Sequence, residues 1–339
     1  MGGFARLSER GWRGLCLNIV VFALLLVPLV AGAQPADRVY RLGFLGQTSA
    51  PDLDRQIAAL RGGLRDRGYE EGRNLVIEYR WAQRSLDRLP VLATELVGLG
   101  VDIIVTHGSA GSRAAQQATR TIPIVIAVVG DPVANGVVAS LARPGGNVTG
   151  LVLEEFESTV IWLDLLKQVA PGASRVGWFD VPGIEVPEVA EVWAQKENGA
   201  ARSRGLAIHR VFVRGPNDLT QAFDDLRRQG VDAVVVPNSS LLNSLGVQIA
   251  SLALKHRLPT IGSPLFARAG GLLAYGPDGA DLYRRAAGYV DRILKGSAPA
   301  DLPMEGPLKF EMVVNLKAAR ALGLTIPPEL LARAGQIIE

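Results

Sequence analysis

At 339 residues the chain exceeds the size that one hydrophobic core usually serves, so two domains are expected. Hydrophobic residues make up 48% and charged residues 20%, with 38 glycines and 20 prolines scattered along the chain, which excludes a long disordered linker. Three arginines and one glutamate fall in the first 33 residues; the rest carries a formal charge of only +1, interleaved, and offers no basic patch for nucleic acid.

In chain order the first element is a leader. Arg6, Arg10 and Arg13 form a basic start, an apolar run from 15 to 30 follows, and Ala31-Gly32-Ala33 places small residues before Gln34. This pattern predicts a signal peptide over residues 1–33 and a periplasmic destination. An uncleaved membrane anchor fits less well, because the run is shorter than the ~20 residues of a comfortable span, and Asn18 and Pro28 interrupt it. Cys16 is the only cysteine and precedes most of the apolar run, which argues against lipid attachment and leaves the exported chain without disulfides.

Short apolar runs then alternate with amphipathic ones. Strands are predicted at 40–45, 75–81, 102–106 and 122–128, and helices at 52–67, 86–99 and 109–118. Continuous runs such as Ile103-Ile104-Val105 and Ile124-Val125-Ile126 are buried on both faces only in a parallel sheet covered by helices, hence an α/β fold with right-handed crossovers. The pattern then restarts. Arg41-Leu42-Gly43-Phe44-Leu45 is echoed by Arg175-Val176-Gly177-Trp178-Phe179, Arg67-Gly68-Tyr69 by Arg204-Gly205-Leu206, and Gly100-Val101-Asp102 by Gly230-Val231-Asp232. Three echoes in order at nearly constant offset predict two similar doubly wound, Rossmann-like lobes. The glycine-rich stretch 143–150 reads as the boundary and hinge. Further strands are expected near 210–213, 233–236, 260–261 and 272–275, a helix at 280–295 and a last strand near 309–314. The expected lobes are 37–150 plus about 279–303, and 151–278 plus about 304–339.

Patterns for catalysis are missing. No Gly-x-Gly-x-x-Gly follows a strand and no phosphate loop ends in Gly-Lys-Ser/Thr. Gly108-Ser109-Ala110-Gly111 has the wrong spacing for a nucleophile elbow. His107, His209 and His256 are isolated, with no metal-ligand spacing. No catalytic residue, metal or cofactor is expected, and binding is the economical reading.

In open α/β sheets ligands lie beyond the carboxyl ends of the strands. Those ends supply Gln47 and Thr48, then Thr106, His107, Gly108 and Ser109, then Asp131 in the first lobe. The second lobe supplies Asp180, Asn238, Ser239 and Tyr275. Ser109 and Ser239 are equivalent across the repeat; each can cap a helix or face a ligand. Gly130-Asp131-Pro132 equally suits a plain turn. Among the aromatics, Phe179 and Tyr275 are expected to face the cleft, and the tryptophans to fill cores.

Longer stretches carry a resemblance: residues 41–46 (RLGFLG), 68–82 (GYEEGRNLVIEYRWA), 88–97 (RLPVLATELV), 118–133 (ATRTIPIVIAVVGDPV), 140–150 (SLARPGGNVTG), 276–296 and 309–328 (KFEMVVNLKAARALGLTIPP). In these the chain resembles the ABC-type periplasmic substrate-binding proteins that include the tryptophan- and tyrosine-binding components. The resemblance implies a type I periplasmic-binding fold with two lobes joined by crossover strands, closing on a small-molecule ligand. It also implies an ABC permease and ATPase at the inner membrane as partners, and a monomer. The family's ligand loops match at 106–110, at Gly130-Asp131 and around Ser239. A departure follows Phe179, where Asp180-Val181-Pro182-Gly183-Ile184 replaces an asparagine–proline-rich turn. A sensory module that presents its closed form to a membrane receptor, or an exported enzyme, are the alternative readings.

Overall fold

A computed structural model describes residues 38–153 and 155–339; the expected signal peptide lies outside the described residues. The chain begins with strand β1 (Tyr40–Gly46), helix α1 (Asp54–Arg65), β2 (Leu75–Trp81), α2 (Leu89–Gly98), β3 (Ile103–Thr106), α3 (Gly108–Ala118), β4 (Ile124–Val129) and β5 (Val148–Val152). It continues through α4 (Glu155–Val169), β6 (Arg175–Asp180), α5 (Pro187–Arg202), β7 (Ala207–Phe212), α6 (Leu219–Arg228) and β8 (Ala233–Val236). Next come α7 (Ser240–Ser244), α8 (Gly246–Lys255), β9 (Thr260–Gly262), α9 (Pro264–Arg268) and β10 (Leu273–Pro277). Helix α10 (Gly279–Leu294), β11 (Phe310–Asn315), α11 (Leu316–Leu322), α12 (Pro328–Arg333) and β12 (Gln336–Ile338) end it.

Two sheets result. The first runs β2-β1-β3-β4-β5, all parallel. The second runs β12-β11-β10-β9-β8-β6-β7, and its strands β6 to β10 repeat the first sheet's order; only the β10–β11 pair is antiparallel. Period-two alternation explains how apolar runs serve both faces. Ile103, Val105 and Val125 point to a core shared with α1 and α10, while Ile104, Ile124 and Ile126 point to one shared with α2 and α3. In the second sheet Val176, Trp178 and Val235 face α4, α5, α11 and α12, and Phe179, Val234 and Val236 face α6 and α8. The fold is α/β with two doubly wound lobes of the type I periplasmic-binding kind.

The Gly-Val-Asp echo has a structural cause. Gly100 and Gly230 both hold a left-handed φ, +64° and +63°, that ends a helix and turns the chain into a strand. The following aspartate then holds the start of the neighbouring strand: Asp102 Oδ2 accepts from Arg41 N at 2.7 Å, and Asp232 Oδ2 from Arg175 N at 2.9 Å.

The stretch read as a hinge at 143–150 is in part a strand. Val148–Val152 forms β5 at the sheet edge, and the positive φ of Gly150 (+143°) obscures it in the sequence. The chain leaves the first sheet only after Leu153. It returns after Pro277, where Asp278 caps α10 by accepting from Ala280 N at 2.9 Å, and α10 packs on α1 beneath the first sheet. Residues 302–305 stay beside β5, with Thr149 Oγ1 donating to Leu302 O at 2.7 Å and Leu151 bridging to Glu305. The chain then crosses a third time into β11. The short edge strand β12 has no period long enough to be read from sequence.

Candidate functional site: the inter-lobe cleft

The carboxyl ends of both sheets face each other across a cavity of about 450 Å³. From the first lobe Gln47, Thr48, His107, Gly108 and Ser109 line it, and from the second Asp180, Asn238, Ser239 and Tyr275. Two expected contacts are not brought there. Thr106 is fully buried with its hydroxyl donated to Leu45 O at 3.0 Å, a bond that ties β3 to β1. Asp131 accepts from Ala134 N at 3.0 Å and shapes the turn after β4 instead of lining the cavity.

His107 sits where the lobes meet. Its Nε2 accepts from Gln47 N at 3.2 Å, so the neutral ring carries its proton on Nδ1, which lies 3.2 Å from Ser240 Oγ of the opposite lobe. Gln47 Nε2 in turn donates to the His107 carbonyl. The ring lies between Phe44 and Tyr283, each 6.2 Å away centroid to centroid, and burial pushes its pKa down to about 4. The ring is therefore neutral at physiological pH and fixed in one tautomer. Beside it the hydroxyls of Thr48 and Tyr283, both 2% exposed, have no partner. Buried polar atoms are nearly always paired, and these two are not.

A second group of contacts crosses the cleft at the 181–186 loop. Arg113 Nη2 donates to the carbonyls of Gly183 (3.0 Å) and Ile184 (2.8 Å). Val186 N donates to Asn135 Oδ1 at 3.2 Å, and Ser109 Oγ to Glu185 Oε1 at 3.2 Å. Burial pushes Glu185 above the ordinary carboxylate range, with the Ser109 bond among the opposing influences, and its Oε2 has no partner. Glu185 was not singled out from sequence. It follows the departure at 180–184, and only the folded loop carries it to Ser109.

The paired serines differ in role. Helix α3 begins before Ser109, which is therefore free to bond across the cleft, whereas α7 begins after Ser239, whose Oγ caps it by accepting from Leu242 N at 3.1 Å. Asn238 Oδ1 accepts from Asn243 Nδ2 at 2.8 Å. Tyr275 stacks on Phe310 at 5.7 Å, and its carbonyl accepts from Trp162 Nε1 at 2.6 Å. Phe179 is among the residues that line the cavity, but its side chain is fully buried and its ring packs on Phe223, 5.5 Å away, in a core cluster. Trp162, Trp178 and Trp193, expected in cores, contribute to the cavity wall.

The architecture defines a two-lobed solute-binding protein in its closed form. The chain belongs to the ABC transporter substrate-binding protein family, whose model matches residues 44–338. It is 28% identical over 324 residues to the tyrosine-binding protein of Clostridioides difficile strain R20291, covering 91% of this chain and 92% of that one. Its structure is similar to that of an ABC domain from Streptococcus pneumonia in complex with L-Trp, with a TM-score of 0.81, 25% identity, and 88% and 100% of the two chains covered. Against the ligand-free, open structure of a Clostridium difficile substrate-binding protein with adhesive properties, the TM-score is 0.64 at the same 25% identity, with 88% and 99% covered. At equal identity and equal coverage of this chain the higher score goes to the liganded structure, in line with the bonds that span the cleft here.

Proposed function

We propose that this protein is the exported solute-capturing component of an ABC importer, which closes on a small polar or amino-acid-like molecule and presents its closed form to a permease and ATPase at the inner membrane. The observation that carries the reading is the closed cleft itself. Arg113, Asn135, Ser109 and His107 of one lobe bond the other around a cavity that still holds unpartnered Thr48 and Tyr283 hydroxyls. Binding that favours one of two lobe arrangements is how a ligand shifts their populations. The tyrosine-binding relative and the L-Trp complex favour an amino-acid-like solute, and the leader read over residues 1–33 favours a periplasmic location.

Thermal melting of the purified protein against a panel of amino acids and other small metabolites tests capture. A true ligand at a hundred times its Kd adds about 2.7 kcal/mol of stability. A panel that produces no stabilisation at any concentration overturns the reading. Sequencing of the exported product should begin at or near Gln34, and full-length chain retained in the membrane fraction would overturn export.

A further inference from the structure

Away from His107 the cavity continues over the outer strands of the second sheet, against α5. Arg210 of β7 stands there between two carboxylates, with Nη1 2.9 Å from Asp180 Oδ2 and Nη2 2.5 Å from Glu197 Oε2. All three line the cavity, and their side chains are only 19%, 28% and 13% exposed for Arg210, Asp180 and Glu197. Among the described residues Arg210 is the only cation paired with either acid. One positive charge against two negative ones leaves the cluster a charge short. Burying a carboxylate without a counter-charge is costly.

Aromatic rings flank the cluster. The Arg210 guanidinium lies 5.7 Å from the Trp178 ring, and Trp193, one helical turn before Glu197 on α5, also lines the cavity. The Arg210 Nε is buried without a partner, so the arginine itself is not fully engaged.

We propose that Asp180 and Glu197 form a cation subsite of the cleft, which takes an ammonium or amidinium group of the captured solute, with Trp178 and Trp193 beside its apolar body. The inference rests on the reading of the cleft as a solute trap. A cation brings the cluster to balance, a neutral group leaves it short, and an anion adds a third negative charge to two. Burial pushes the Glu197 pKa up to about 7, so without a solute a proton is the competing occupant. Asp180 is pushed up by the same burial, and Arg210 pulls it back down only in part.

Matched compounds that differ only in the amine test the subsite: L-tryptophan against 3-indolepropionate, and L-tyrosine against 3-(4-hydroxyphenyl)propionate. Thermal melting and calorimetric titration should show the amine-bearing member binding at least tenfold more tightly in each pair that binds. Glu197→Gln, which imitates the protonated acid and should melt no lower than the parent, is expected to weaken the amine-bearing member tenfold or more and leave the deaminated one unchanged. Equal affinity within a pair, or unchanged amine affinity in the variant, overturns the subsite while the trap stands. If none of the four compounds stabilises the protein the subsite is also overturned; the trap falls only if the wider metabolite panel fails too.

Discussion

Ser109 and Ser239 occupy equivalent places in the repeat, yet the start of a helix relative to each serine separates their roles. Ser239→Ala removes the α7 cap and should cost about 1 kcal/mol of stability, read from thermal melts, with ligand affinity unchanged. Ser109→Ala removes a bond that spans the cleft and leaves Glu185, buried and already short of one partner, without another. It should weaken ligand binding by roughly 0.5–1.5 kcal/mol, about threefold to tenfold, with little change in unliganded melting. The opposite pattern, lost affinity for Ser239→Ala and lost stability for Ser109→Ala, would contradict these assignments. Sequence alone places both serines at strand ends, because strand ends are legible from apolar runs. It misses Arg210, Glu197 and Glu185, since their meeting depends on strand pairing, on the tilt of α5 and on a loop without periodicity. Thr106 and Asp131 were legible as strand-end residues but have local work, one tying two strands and the other forming a turn.

Elements were read well where no glycine interrupts the run. The strand at Leu75–Trp81 coincides with its sequence reading, and Ala233–Val236 does too. The strands missed were β5, which a glycine interrupts, and β12, only three residues long. In β5 the cause is Gly150: a Cβ there would lie 2.1 Å from Ile126 O, and the φ of +143° is one that L side chains rarely adopt. What looks like hinge glycine is a close approach between β4 and β5. Gly150→Ala should therefore cost at least about 2 kcal/mol of stability in denaturant unfolding, through strain and the displaced edge strand. A flexible linker would tolerate the change, so a variant as stable as the parent would restore the linker reading.

Across the whole molecule, the resting distance between the lobes depends on a few polar contacts, with Arg113 central to those at the 181–186 loop. Arg113→Ala removes both carbonyl contacts to Gly183 and Ile184. Small-angle scattering of the unliganded variant should show a larger radius of gyration than the parent, and ligand should narrow the difference. Equal radii in the absence of ligand would mean that these contacts do not hold the lobes together. The repeated lobe plan was visible in three short echoes because two mark helix ends that turn the chain toward a strand, at Gly68/Gly205 and Gly100/Gly230, and the third is the central strand itself, β1 and β6. How the last sixty or so residues divide between the lobes was less legible, since α10 and β11 look like a plain continuation of the second pattern.

That division has a consequence for how the chain is made. Helix α10 supplies Leu282, Ala286 and Val290 to the core under the first sheet, packed against Leu60 and Leu64 of α1 more than two hundred positions earlier. The second sheet likewise waits for Met312, Val314 and Leu330. Neither half can seal its interior until residues 279–330 have emerged from the ribosome. Distant contacts of this kind slow folding, so the growing polypeptide remains threadable until those residues have been made.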